Sequence, residues 1–198
     1  MSLITVLIRT INRPTLINAI NSALSEFNNV IVVADDVDLD FAKLPKEPLY
    51  LRTGKRFDQY GNACTNMGAY ACRTPYFCLL DDDDEFISGA GKFMESAVKS
   101  KPEIDIWIPG LNYIKEGFQN CVDGKRGVVI GNVAVPTYKT ELLFALPFYK
   151  GIGDRFPNAV DFFHVESLYK AGCKVAWYGK TLYNIRPHLP GTNGIGKL

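Results

Sequence analysis

The sequence predicts an α/β fold: one domain with a mostly parallel central sheet flanked by helices. Its 198 residues, 47% hydrophobic and 22% charged, suit a single globular unit. Three continuous apolar runs stand out: Ile4-Thr5-Val6-Leu7-Ile8, Val30-Ile31-Val32-Val33-Ala34 and Tyr76-Phe77-Cys78-Leu79-Leu80. Each reads as a strand buried on both faces, as parallel strands are. A segment of helical period joins the first run to the second, which is the order of a βαβ unit.

The elements follow in order. After the first run, Asn12 and Pro14 suit a helix start, and Leu16, Ile20, Ala23, Leu24 and Phe27 keep helical spacing. Asn28-Asn29 ends that helix, and the second strand closes on Asp35-Asp36. A proline-containing connection leads to a short strand at 49–51. Residues 62–72 read as a helix with Ala63, Met67, Tyr70 and Ala71 on one side, stopped by Thr74-Pro75. The third long strand follows. Beyond it come a helix at 92–99, a strand at 104–108, a hairpin or extended loop at 113–129 and a short helix at 140–146. A helix at 161–171 carries Phe162, Val165, Leu168 and Tyr169 as its apolar side, with Gly172 as its stop. A strand at 174–178 and a loop-like tail complete the chain. Trp107 and Trp177 fall on strand patterns and read as core.

Composition narrows the function. A net charge of +1, with scattered lysines and arginines, gives no field for nucleic acid or an acidic membrane. The five cysteines include no Cys-x-x-Cys, and His164 and His188 are the only histidines. That leaves no zinc pattern and favours free thiols in a reducing compartment. The N-terminus lacks a signal peptide, and no apolar run reaches the roughly 18–20 residues of a membrane span. A soluble, cytoplasmic protein is expected; peripheral membrane contact stays open.

Asp81-Asp82-Asp83-Asp84-Glu85 sets five carboxylates against the end of the third strand. Unit charges about 5 Å apart repel by roughly 3 kcal/mol at an effective dielectric near 20. Water or a cation is needed among them. The run lies at the carboxyl end of a parallel strand, the sheet edge where ligands bind in open α/β folds. Mg²⁺ and Mn²⁺ take hard oxygen ligands, typically one or two carboxylates plus phosphate oxygens and water. A solvated acidic turn is the plain alternative.

Several stretches in order resemble the GT-A fold glycosyltransferases of family 2. The first strand with Thr10-Ile11-Asn12-Arg13-Pro14 is similar to the family's first strand and its Thr-Tyr-Asn-Arg turn. Asp35-Asp36 after the second strand, Asn66-Met67-Gly68-Ala69, and Leu79-Leu80-Asp81-Asp82-Asp83-Asp84-Glu85 match the later motifs, the last resembling the Leu-Asp-x-Asp-Asp metal motif. Asp161 and the following Gly172-Cys173-Lys174-Val175 resemble the helix and strand of the acceptor side. The chain departs from the family pattern at Arg9, Ile11, Val37-Asp38 and Val160, and lacks the Gln-x-x-Arg-Trp motif of processive synthases.

The resemblance implies a Rossmann-like nucleotide half, residues 1–110, continuous with a smaller acceptor half, residues 111–198. It implies an inverting transfer of a sugar from a nucleotide-sugar donor, most simply a UDP-sugar, to a glycan or other hydroxyl acceptor, with Mn²⁺ or Mg²⁺. Thr10, Arg13, Asp35, Asp36, Asn66, Asp81 and Asp82 would line the nucleotide pocket, with Arg9 and Arg13 near phosphates. Asp83 and His188 would hold the metal. Asp161 would be the general base, a role compatible with an N-cap at a helix start. A noncatalytic nucleotide- or glycan-binding module of the same fold is the alternative, and a nucleotidyltransferase ranks behind both because the glycine-rich phosphate loop is absent.

Overall fold

The computed structural model describes residues 2–57, 61–113, 118–120, 135–145 and 160–185. Residues 112–113, 118–120, 144–145 and 160–162 are described by backbone alone. The strands are β1 (Ile4–Thr10), β2 (Val30–Ala34), β3 (Leu49–Arg52), β4 (Tyr76–Asp81), β5 (Asp84–Phe86), β6 (Ile106–Tyr113), β7 (Phe118–Asn120), β8 (Thr137–Lys139) and β9 (Val175–Ile185). The helices are α1 (Leu16–Glu26), α2 (Asn62–Ala71), α3 (Ala90–Ser100), α4 (Leu142–Ala145) and α5 (Val160–Lys170).

All the strands join one sheet in the order β3-β2-β1-β4-β8-β6-β9-β5, with β7 paired to β6. β3, β2, β1 and β4 are mutually parallel. β6 and β9 share their direction, because β8 is antiparallel to both β4 and β6. Among the described residues, only the three-residue strands β5, β7 and β8 run the other way. The expected mostly parallel α/β sheet is therefore present. β1 and β2 are buried at every position, which is why their sequences show no alternation.

The sheet order also fixes where a ligand can enter. From β1 the chain steps outward through β2 to β3, then returns to lay β4 on the other side of β1. The adjacent carboxyl ends of β1 and β4 form the topological switch point of the parallel half.

The helices pack by different means. α1 buries Leu16, Ala19, Ile20 and Ala23, the stripe expected of an amphipathic helix. Its start differs from expectation: Thr15 precedes the helix without a side-chain cap, and Asn12 instead adopts φ 65° in the turn before it. α2 also differs. Its buried side is Asn62, Cys64, Thr65, Gly68 and Ala69, while Met67 and Tyr70 are exposed. The reason is close approach, since a Cβ on Gly68 would stand 3.1 Å from both Leu7 and Val33. Small residues therefore take the inner face and the bulky ones turn outward.

α3 approaches α1 just as closely. A Cβ on Gly91 would lie 2.2 Å from the Glu26 carbonyl oxygen. The Glu26 carboxylate accepts from the Gly89 and Gly91 N–H groups, both at 2.9 Å, and so satisfies donors at the start of α3. Trp107 is buried and Trp177 packs against the core, as their strand patterns suggested. Cys64, Cys72, Cys78 and Cys173 are free. No helix among the described residues is long and apolar enough to cross a membrane.

Candidate active site

Strand alternation sorts the site residues before any contact is considered. Leu7 and Val33 face α2 through Gly68. Arg9 and Asp35, two residues further along each strand, therefore face α2 as well, and Asp81 is the β4 partner of Arg9. Thr10 belongs to the opposite face.

On the α2 face, Arg9 donates to Asp81 Oδ1 from Nε at 2.9 Å and from Nη2 at 2.5 Å. The Arg9 side chain is 9% exposed and that of Asp81 30%, so the pair lines the switch point with its carboxylate toward the rim. Gly61, at φ 79°, begins α2 over this arginine, and a Cβ there would come 2.7 Å from Arg9 Cδ. The buried Asp35 accepts at Oδ1 from Thr53 Oγ1 (3.2 Å) and the Phe57 N–H (3.1 Å). Its own N–H reaches the Thr10 carbonyl at 2.9 Å. Cys64 lies within the fields of Asp35, Arg9 and Asp82, but burial is the main cause that pushes its thiol up to about 12.

On the other face Asp82 is fully buried. Its Oδ2 accepts from Thr10 Oγ1 at 2.5 Å and from the N–H groups of Ile11 (3.2 Å) and Arg13 (3.4 Å). Its Oδ1 accepts an ionic hydrogen bond from Arg13 Nη1. The Asn12 N–H donates to Thr10 Oγ1 at 2.7 Å, and Asn12 Nδ2 to the Asp38 carbonyl at 2.9 Å. One carboxylate thus gathers the whole turn from β1 toward α1. Asp83, with 12% of its side chain exposed, lies 3.9 Å from Arg13 Nη1. Burial opposes the Arg13 charge, yet the fields of Asp82 and Asp83, the hydrogen bond to Asp82 and the field of Asp81 hold its pKa above the usual value.

The crowding of carboxylates is thus met largely from within the chain. Arg9 answers Asp81, and Arg13 answers Asp82 and stands near Asp83. Asp84 is buried in β5, paired with β9 at Ile185. Arginine suits this work because its planar fork reaches carboxylate oxygens in fixed directions.

The other expected residues are spread more widely. Asp36, at φ 51°, accepts from Arg52 Nε at 3.1 Å and Nη2 at 3.0 Å, and Arg52 also pairs with Asp38. Arg52 is half exposed, so this is a surface fork at the end of β3. Asn66 is half-buried on α2, one turn beyond the site level. Asp161 is the second residue of α5, placed by its backbone alone. His188 lies outside the described residues, as do residues 114–117, 121–134 and 146–159 of the expected acceptor half.

Some participants were not foreseen. Gly61 lies against Arg9, and Thr53 donates to Asp35. Asn62, 1% exposed, has neither side-chain polar atom hydrogen-bonded. Their spacing gives no signal, because loop geometry brings them in. His164 is buried, its Nδ1 3.4 Å from Tyr138 Oη and its ring edge-on to that tyrosine.

Among the described residues no group of three or more His, Cys, Asp or Glu side chains is arranged to hold a metal ion. Asp81 and Asp82 are taken up by arginines. Asp83 fits the kind of site Mg²⁺ or Mn²⁺ shares with phosphate, where one carboxylate suffices. A cavity of about 640 Å³ is elsewhere: Leu3, Tyr76, Val98, Lys99, Lys139 and Glu141 line it at the amino ends of β1 and β4, and it contains none of the clustered aspartates. A smaller one of about 140 Å³ lies beside Asp38, Phe41, Tyr50 and Arg52. The carboxyl-end cluster is the better candidate, because it combines the switch point with convergent charge.

No protein-family description and no curated protein matches the chain by sequence. Solved structures do match by shape. Crystal structures of S. aureus TarS 1-349 superpose with TM-score 0.74 at 15% identity, covering 92% of this chain and 60% of that one. The same fragment in complex with UDP gives TM-score 0.71 at 15% identity over 93% and 60% of the two chains. In complex with UDP-GlcNAc it gives 0.72 at 15% identity over 94% and 59%. The chain therefore spans about 60% of the TarS fragment and has the same fold.

Proposed function

We propose that the chain is an inverting glycosyltransferase of GT-A fold family 2, moving a sugar from a UDP-sugar to an acceptor hydroxyl with Mn²⁺ or Mg²⁺. One observation carries the reading: arginine-braced carboxylates stand at the switch point of a fold shared with TarS, whose structures hold UDP and UDP-GlcNAc.

In this reading Asp35 accepts the N–H of the base through its second oxygen, and Asp81 faces the ribose. Thr10 and Asp82 fix the turn that carries Arg13 toward the diphosphate. Asp83, with His188, would hold the divalent ion, which supplies charge stabilisation for the leaving diphosphate. Asp161 takes the acceptor's hydroxyl proton as that oxygen attacks the anomeric carbon. The bond from that carbon to the diphosphate breaks, and UDP departs with the electron pair. Asp36 would contribute to the nucleotide pocket only from its rim, and Asn66 from the α2 side.

Isothermal titration with UDP, GDP, ADP and CDP in the presence of Mn²⁺ tests the donor, with UDP expected to bind tightest. Loss of metal-dependent UDP binding in Asp83→Ala is expected; unchanged, metal-independent binding counts against the reading. Val160, in place of the family's glutamate, favours the noncatalytic module as a second reading. Donor hydrolysis or transfer that disappears in Asp161→Asn while UDP still binds excludes it.

A further inference from the structure

The placement of Arg13 has a consequence for how a divalent ion reaches this site. Its Nη1 is committed to Asp82 and stands 3.9 Å from Asp83, while its Nε is buried and donates to nothing. The guanidinium is charged at every working pH. Asp83 is the acid of the turn on which an ion can share a phosphate, so an ion arriving alone meets a fixed positive charge at close range. A diphosphate arriving with the ion reverses the balance. Its negative oxygens are attracted by the charge that repels the bare cation.

We propose that Arg13 keeps a free divalent ion off Asp83, so that the ion enters as its nucleotide diphosphate complex and not ahead of it. This rests on the nucleotide-sugar reading and specifies the species the site accepts. Asp82 is then a positioning residue, since it latches the excluding charge in place with a buried carboxylate.

The test is titration of the protein with Mn²⁺ alone, followed by calorimetry or the electron spin resonance of the free ion. Arg13→Gln removes the charge and leaves an amide donor for Asp82. It is expected to bind free Mn²⁺ at least about tenfold more tightly than wild type, as loss of a unit charge at this range requires. Arg13→Lys keeps the charge and is expected to match wild type. In Arg13→Gln/Asp83→Asn the gain is expected to vanish. Arg13→Leu repeats the measurement should the amide variant fail to fold. Equal free-Mn²⁺ affinity in wild type and Arg13→Gln overturns the proposal, as does a gain that survives Asp83→Asn. Titration of wild type with Mn²⁺ plus UDP separates the two readings. No binding there overturns the nucleotide reading itself, whereas binding with no effect of Arg13→Gln on the free ion overturns only this inference.

Discussion

Asp82 has no exposed surface and its two oxygens accept from four donors. Asp82→Ala strands the Arg13 guanidinium, the Thr10 hydroxyl and two backbone N–H groups at once. Removing one partner of a buried pair costs roughly 3–5 kcal/mol. Arg13 keeps 20% of its side chain exposed and recovers some hydration, so about 3 kcal/mol is expected in urea denaturation, with a smaller loss for Asp82→Asn. Sequence alone cannot rank four consecutive aspartates, because strand, turn and pairing decide which side chain points where. Asp81 ends β4, Asp82 is drawn under the β1 turn, Asp83 stays near the rim and Asp84 starts another strand. The chemistry of the run was legible; its division of labour was not. Cys64 makes a second residue-scale case. With burial first and Asp35 next, its thiol sits at about 12, so it stays protonated and unreactive. Alkylation at pH 8 of the native protein is expected to modify the half-buried Cys72 and Cys173 well before Cys64, and a fast Cys64 contradicts the buried geometry.

At the scale of elements, the three apolar runs were legible because burial on both faces leaves an unbroken signal. β5 and β8 were not, since each has three residues and includes polar or charged ones: Asp84-Glu85-Phe86 and Thr137-Tyr138-Lys139. The sequence pattern marks only the first half of β9, because Gly179, at φ 67°, and Lys180 interrupt it where its register with β6 shifts. The mixed part of the sheet is stapled by Asp105. Its carboxylate accepts from Lys139 Nζ and the Lys174 N–H, both at 2.8 Å, joining the starts of β6 and β9 to β8. Burial works against the ionised acid, but these hydrogen bonds and the lysine charges outweigh it and lower its pKa. A lowered folded-state pKa gives stability that is present above the unfolded value and lost as pH falls through the folded one. The stabilisation therefore holds at neutral pH and fades below about pH 4. It is at most about 1 kcal/mol, because the pair is partly solvated. Asp105→Asn should flatten that part of the acid limb of a stability-versus-pH curve. Gly91→Ala is a sharper test of packing. With a Cβ 2.2 Å from the Glu26 carbonyl, α3 must back away from α1 and weaken the Glu26 cap, for a loss of about 1–3 kcal/mol in urea.

Across the whole molecule, the parallel half and the mixed half contribute differently. The parallel half brings β1, β2, β4 and the start of α2 to one rim, and its charges are braced before any ligand arrives. The opposite rim holds a cavity of about 640 Å³ whose lining includes Lys99, Lys139 and Glu141 but none of the arginine-braced aspartates. A nucleotide seated at the switch point would bridge four elements that otherwise meet only through the sheet and helix packing. Saturation at a hundredfold excess over the dissociation constant adds roughly 2.7 kcal/mol of apparent stability. For a chain of this size each kcal/mol raises Tm by about 2–4 °C, so Mn²⁺ with UDP should raise it by roughly 5–10 °C. Hydrogen exchange then locates the effect. Protection is expected at Arg9–Arg13, Asp35, Asp81–Asp83 and the first turn of α2, with Leu3, Tyr76 and Val98 unchanged. Protection confined to the Leu3–Tyr76 rim would move the binding site to the large cavity and leave the arginine-braced acids as scaffold.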